Sequence, residues 1–368
     1  MIPDVSLDPA AAVVPKTLRH ATGFSPLGSH GRARDIVDLA SIRSADHWIS
    51  PHIKRTPTLR DTYLSERFGT NVYLKHEELQ ETGAFKVRGA FNKILALSAE
   101  QRRRGVVAVS AGNHAQAVAF AARKVGMKAL MLMPENTPEH YVTKTREAGA
   151  EIEFFGSLAD ALDAAPVYEK RGYVFVHPYD DPEVIAGQGT IGLEIVEDIP
   201  HVTDVIASIG GGGLIGGVAT AVKALVPDSN IWGVETAGAD AMSRSLAAGE
   251  IIDIDEITSV ARTLGAHRVG EIGFELTRKY VSGVTVVSDE GAMAELVNLL
   301  ERSNVLIEPA ASCTIAALSH LQQKFTNASH VVVVLCGGNI SIADLFHYRE
   351  QVKRDDAGLI NSTRTYGK

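Results

Sequence analysis

The chain has 368 residues, with 36 Lys plus Arg against 44 Asp plus Glu and a net charge of −8, so two domains or one large one fit the length and the acidic balance argues against nucleic acid or an anionic membrane as partner. Its two cysteines, Cys313 and Cys336, exclude a disulfide framework and a thiolate zinc site and fit a reducing compartment. No apolar run approaches the ~18 residues a membrane span needs, and the opening residues hold none longer than Ala10–Val14, so a cytoplasmic protein without a signal peptide is expected.

Residues 1–32 carry Pro3, Pro9, Pro15 and Pro26 with little periodicity, and a loose extension is expected there. Strands are then expected at Asn71–Lys75, Val106–Val109, Lys128–Met133, Glu151–Phe155, Tyr173–His177, Asp204–Ile209, Ile231–Glu235, Val284–Ser288 and His330–Leu335. Amphipathic stretches such as Ala115–Val125 and Pro138–Ala148 separate most of them. Strand–helix alternation with near-continuous apolar strands predicts a doubly wound, mostly parallel α/β architecture. Two domains are expected: a large one from residues 33–100 plus 188–368, and a small inserted one from 101–187.

The segment Lys75–Asn92 reads KHEELQETGAFKVRGAFN, with Lys86 at the start of a helical pattern. A lysine at a helix N-terminus beside Phe85 is electrostatically awkward, and a depressed pKa suits Schiff-base chemistry. An ordinary solvated helix lysine fits the same spacing. Val109–Ala115 joins a strand to a helix, and the amide groups of Ser110, Ala111, Gly112, Asn113 and His114 could hold a carboxylate. A plain Ser/Asn helix cap is the alternative.

The strongest local signal is Ile209-Gly210-Gly211-Gly212-Gly213-Leu214, which follows a strand and opens a helix near Leu214. Consecutive glycines allow positive φ and let N–H groups converge on a phosphate. Gly217, one turn into that helix, is expected to tolerate alanine better than Gly212 tolerates a side chain. Gly211-x-Gly213-x-x-Gly216, with Glu235 at the end of the next strand, also matches a dinucleotide fingerprint, which keeps a nicotinamide oxidoreductase open.

Together, GAFKVRGA, SAGNHAQA and GGGGL resemble the fold-type II pyridoxal-phosphate enzymes in order and spacing, within them the serine/threonine dehydratase and serine racemase branch. Ile185–Thr190, Glu308-Pro309-Ala310 and Cys336-Gly337-Gly338-Asn339 extend the resemblance, which runs from about Arg55 to Asp344. It implies a tryptophan synthase beta-like fold, pyridoxal 5'-phosphate as cofactor, a small amino-acid substrate and a homodimer.

The resemblance also implies roles. Lys86 would carry the cofactor as a Schiff base and move the Cα proton. Phe85 would lie against the ring, Asn113 would bond its hydroxyl oxygen, and Cys336 would face its nitrogen. Gly210, Gly211, Gly212, Gly213 and Leu214 would hold the phosphate; Ser110 to His114 would bind the substrate carboxylate. The implied reaction is β-elimination from an L-β-hydroxy amino acid such as threonine or serine, giving a 2-oxo acid and ammonia. An amino-acid racemase is the alternative, as is a dehydratase for a bulkier or acidic substrate such as phenylserine or 3-hydroxyaspartate.

The sequence departs from the family in three places. Ala84 replaces a serine before Phe85, and Val260–Ala266 replaces a frequent Ala-Asp-Gly stretch. Glu235 and Ala239 match two positions of a divalent-cation site found in some relatives, but Ala241 stands where an Asp belongs, with Asp240 beside it. A cation is therefore left open and no metal site is assigned.

Overall fold

The computed structural model describes residues 36–351, and the N-terminal extension expected at residues 1–32 lies outside them. Among the described residues, ten strands form two sheets. The six-stranded sheet takes β1 (Thr58–Arg60), β2 (Asn71–His76), β7 (Asp204–Ser208), β8 (Asn230–Thr236), β9 (Gly283–Val287) and β10 (His330–Leu335), in the order β1-β2-β10-β7-β8-β9. The four-stranded sheet takes β3 (Val106–Val109), β4 (Ala129–Pro134), β5 (Glu151–Phe155) and β6 (Val174–Phe175), in the order β5-β4-β3-β6.

All pairings are parallel except β1 with β2 at the sheet edge. The central strands read as unbroken apolar runs because helices cover both faces. β3 (VVAV) and β4 (ALMLMP) are buried at every position, as is β10 after His330. The sequence reading has no counterpart for β1, since Thr58-Leu59-Arg60 is short, exposed and shows no burial alternation. The expected strand Tyr173–His177 pairs with β3 only at Val174 and Phe175, and Pro178, which has no N–H, follows His177 directly.

Each sheet has its own apolar cluster. The larger gathers β2, β7, β8 and β10 with the helices Gly213–Leu225 and Pro309–Leu321. The second joins β3 and β4 to the helices Lys86–Ala96 and Asn113–Lys124 through Val87, Ala90, Phe91 and Ile94. No described helix is long and apolar enough to cross a membrane.

Helix Pro182–Asp198, capped by Asp181 accepting from Glu183 N and Val184 N, runs beneath helix Gly213–Leu225. The two backbones nearly touch at Gly217. A Cβ there would run into the Ile185 carbonyl oxygen and lie 2.7 Å from Gly189 N. Gly217 is thus a position of close backbone approach, where even alanine carries a packing cost.

Register brings three strand ends together, because Leu335 of β10 pairs with His76 of β2 and β10 pairs on its other side with β7. The segments leaving β2, β7 and β10 carry Lys86, the glycine run and Cys336 respectively. Crevices at the carboxyl ends of parallel strands are where such folds bind ligands.

Candidate active site

The turn before Lys86 is stitched to the chain leaving β10. Ala84 pairs with Gly337, Phe85 N donates to Cys336 O at 3.0 Å, and Gly338 N donates to Gly83 O at 2.9 Å. Gly83 has φ +70°, and a Cβ there would sit 2.8 Å from Asn339 Oδ1, so glycine is required on both counts. The chain then enters helix Lys86–Ala96 with Lys86 at its first position. The half-buried Lys86 donates through Nζ to the Pro178 carbonyl at 2.6 Å and lies 5.1 Å from the Phe85 ring centroid. Burial lowers its ammonium pKa to about 8, against the opposing influence of Cys336 and Glu308.

Two residues further on, fully buried Arg88 fixes this helix to its neighbours. It donates to both Glu77 oxygens at 2.8 Å and to Glu194 at 2.7 and 2.9 Å. Lys75 reaches Glu194 at 2.5 Å and the Thr56 carbonyl at 2.7 Å. Two cations thus balance two carboxylates. Burial alone would raise the Glu77 carboxyl, but Arg88, Lys75 and Thr56 outweigh it and hold the group below its usual value. Breaking one partner of such a cluster costs about 3–5 kcal/mol, because the other is left buried and unpaired.

The glycine run leaves β7 and caps helix Gly213–Leu225, with Gly212 at φ +98°. A Cβ on Gly212 would lie 2.9 Å from Gly273 Cα, and one on Gly211 would run into the Tyr179 ring. The backbone N–H groups of Gly210, Gly211, Gly212, Gly213 and Leu214 donate to no acceptor among the described residues. A run of free, converging amides at a helix N-terminus fits a phosphate dianion.

The Ser110–His114 turn has the same construction on β3. Ser110 N is used by Leu132 O, and Gly112 N donates to Ser110 Oγ at 3.1 Å. The N–H groups of Ala111, Asn113 and His114 have no acceptor among the described residues. His114 is pushed down to about 3 by burial, then by Lys86. Its Nε2 lies 2.9 Å from the Val176 carbonyl, which can only accept, so the neutral ring carries its proton on Nε2.

Asn113 is held at both ends. Its Nδ2 donates to the Glu308 oxygens at 2.8 and 3.1 Å, and its Oδ1 accepts from Asn339 Nδ2 at 2.9 Å. Asn339 Nδ2 also donates to Thr82 O, its Oδ1 accepts from Lys144 Nζ, and its carbonyl accepts from Tyr141 OH. Thr263, in the stretch that departs from the family, donates to Glu308 Oε1 at 3.1 Å. Cys336 is buried at the end of β10, and burial drives its thiol pKa well up, so it is a neutral donor. Beside it, at the end of β7, the buried Ser208 hydroxyl lies against the Cys336 thiol and works against that rise without reversing it.

Glu235 lies elsewhere in role: it accepts from Met242 N and Ser243 N, both at 2.8 Å, at the start of helix Ala241–Ala248. Burial raises its carboxyl to about 7. Ala239 turns back on Thr236, and Asp240 pairs with Arg244 at 2.9 Å. No group of three or more His, Cys, Asp or Glu side chains suited to a metal ion occurs among the described residues.

The sequence reading gathers Lys86, Phe85, Asn113, the glycine run and Cys336, and the fold brings all of them to the ends of β2, β3, β7 and β10. It missed Glu308, Thr263 and Asn339 as site residues. The available signal was Glu308 itself, an acid directly ahead of Pro309 and a stretch of small, weakly polar residues.

Residues 49–337 match the family profile described as pyridoxal-phosphate dependent enzyme. An L-threonine ammonia-lyase of Thermotoga maritima is 42% identical over 309 residues, covering 83% of this chain and 77% of the relative. A catabolic L-threonine dehydratase of Escherichia coli is 37% identical over 311 residues, 83% of this chain and 94% of the relative. Among solved structures, maize serine racemase superposes with a TM-score of 0.81 at 33% identity, covering 88% of this chain and 99% of that one.

Proposed function

The chain belongs to the pyridoxal-phosphate dependent enzyme family, and within it we propose an ammonia-lyase that converts an L-β-hydroxy amino acid, threonine or serine, to a 2-oxo acid and ammonia. The observation that carries this reading is the convergence of a lysine of lowered pKa with two sets of free helix-terminal amides. Pyridoxal phosphate, when bound, supplies an electron-withdrawing ring that acidifies the substrate Cα–H.

This chain's residues do the rest. Lys86 Nζ would hold the cofactor. The free amides of Gly210, Gly211, Gly212, Gly213 and Leu214 would hold its phosphate, aided by the helix dipole. The amides of Ala111, Asn113 and His114 orient the substrate carboxylate, which fixes one Cα face toward Lys86. With a pKa of about 8, Lys86 Nζ has a free-amine fraction of about a tenth at pH 7, enough to take the Cα proton. Phe85, Asn113 and Cys336 would line the ring, with Asn113 a partner for its hydroxyl oxygen and the neutral Cys336 thiol a partner for its nitrogen that adds no charge. That suits elimination, in which electrons leave with the β-hydroxyl.

Racemisation needs a second proton donor on the opposite face. Ala111, directly before Gly112-Asn113-His114, carries a methyl group and no proton. The racemase reading keeps support from the likeness to maize serine racemase. Incubation with L-threonine, L-serine, 3-hydroxyaspartate and phenylserine, followed for ammonia and by chiral chromatography, separates the readings. The expected outcome is 2-oxo acid with little D-enantiomer; rapid D-serine formation would promote the racemase.

The reading extends to a cofactor crevice between the large portion (33–100 with 188–368) and the inserted portion (101–187), to a homodimer and to a cytoplasmic location. Two unpaired, buried thiols, Cys313 and Cys336, support the reducing compartment. A nicotinamide oxidoreductase is the rival outside this chemistry, and an absorbance spectrum separates the two chromophores.

A further inference from the structure

Glu308 has no part in the roles above. The residue is 2% exposed and opens helix Pro309–Leu321, yet its carboxyl accepts nothing from that helix's first turn. It turns instead to Asn113 Nδ2, at 2.8 and 3.1 Å, and to Thr263 Oγ1, at 3.1 Å. These donors, and the Asn339 backbone amide that also favours its charged form, are neutral, and no described cation pairs with it at ion-pair distance. A buried carboxylate without a counter-ion is expensive, and retaining one argues for a task.

The groups around it define that task. Lys86 acts on it from helix Lys86–Ala96, Cys336 from the end of β10, Cys313 from its own helix, Tyr141 from helix Glu139–Glu147, and Tyr348 from residues 342–351. The thiols and phenols are all held neutral by burial, and Lys86 is the cation that acts directly on the carboxyl. Lys144 reaches Asn339 rather than Glu308.

We propose that Glu308 is a positioning residue of this site: its carboxylate clamps the Asn113 carboxamide and sets a negative charge against the Lys86 amine. The inference rests on the reading of Lys86 and Asn113 given above. The clamp fixes which end of Asn113 faces which neighbour, since Nδ2 meets Glu308 and Oδ1 meets the Asn339 amide. The charge raises the Lys86 pKa against burial, which otherwise drives it down. Burial in turn lifts Glu308 to about 7, so the two groups titrate close together.

Two variants separate the effects. Glu308→Gln keeps an oxygen for Asn113 and removes the charge; Glu308→Ala removes both. Each is first checked for native circular dichroism and thermal unfolding. Cofactor-free protein is then mixed with pyridoxal phosphate across a pH series, and capture at Lys86 is trapped with borohydride. Capture follows the free amine, so removing the negative charge moves its midpoint down, by about one pH unit in Glu308→Gln. Glu308→Ala is expected to weaken cofactor binding by at least about tenfold, with Gln losing less. An unchanged midpoint in folded Glu308→Gln, with the wild type trapped normally at Lys86, would overturn this inference alone. Failure of the wild type to trap at Lys86 would remove the reading of the site and this inference with it.

Discussion

Gly212 combines two constraints in one residue: its φ is +98°, and a Cβ would press on Gly273 Cα at 2.9 Å. A side chain at positive φ costs about 1–3 kcal/mol, before any clash. Gly212→Asp adds a carboxylate beside the amides assigned to the phosphate, and like charges repel there. Its expected effect is a large loss of pyridoxal phosphate affinity in a fluorescence titration, with the protein still folded by circular dichroism. Equal affinity in Gly212→Asp and the wild type would show that this run is not the cradle. The same residue-scale logic separates Lys86 from the other lysines. Lys75 is also buried with a lowered pKa, driven by desolvation despite Glu194, yet its ammonium is spent on Glu194 and the Thr56 carbonyl. Lys86 meets a single carbonyl and has the free amides of two loops around it.

At the scale of elements, the site is held by how helices and strand ends are joined. Helix Lys86–Ala96 is fastened at its start to the chain after β10 and, through Arg88, to Glu77 just past β2 and to helix Pro182–Asp198. The glycine-bearing helix Gly213–Leu225 rests on that same helix Pro182–Asp198 across the Gly189–Gly217 contact. Gly217→Ala is therefore expected to destabilise by about 1–3 kcal/mol, the usual result of overpacking a close backbone approach. The loss should appear as a lowered denaturation midpoint with the slope unchanged. Because the contact lies beneath the glycine run, cofactor affinity should fall as well. A fully stable Gly217→Ala would contradict the packing described. The sequence alone did not show the contact at Gly217, because the need for a glycine inside a helix becomes visible only once the partner helix is placed.

At the scale of the whole molecule, what the sequence made legible depended on how local the determinant is. β3 and β10 were found residue for residue because buried parallel strands are unbroken apolar runs between polar turns, and β5 (EIEFF) because its β-branched and aromatic residues mark an exposed edge strand. The glycine run and Lys86 were found because each is a strand–turn–helix junction within about ten residues. Glu308, Asn339 and Asn113 join positions 195 and 226 residues apart in sequence, so nothing near any one of them announces the others. The Arg88 cluster was hidden for a related reason: Lys75, Glu77, Arg88 and Glu194 read as solvated charges until the fold neutralises them against one another. β1 was invisible because an exposed antiparallel edge needs no apolar pattern.

The account stands or falls on where the cofactor is attached. Purified protein equilibrated with pyridoxal phosphate is reduced with borohydride, digested and mapped by mass spectrometry. The expected product is a single phosphopyridoxyl-lysine in the peptide containing Gly83-Ala84-Phe85-Lys86, absent from a folded Lys86→Ala variant that has lost turnover by orders of magnitude. Modification at Lys75, Lys144 or any other lysine in the wild type, with Lys86 untouched, would contradict the assignment of the site and of every role derived from it.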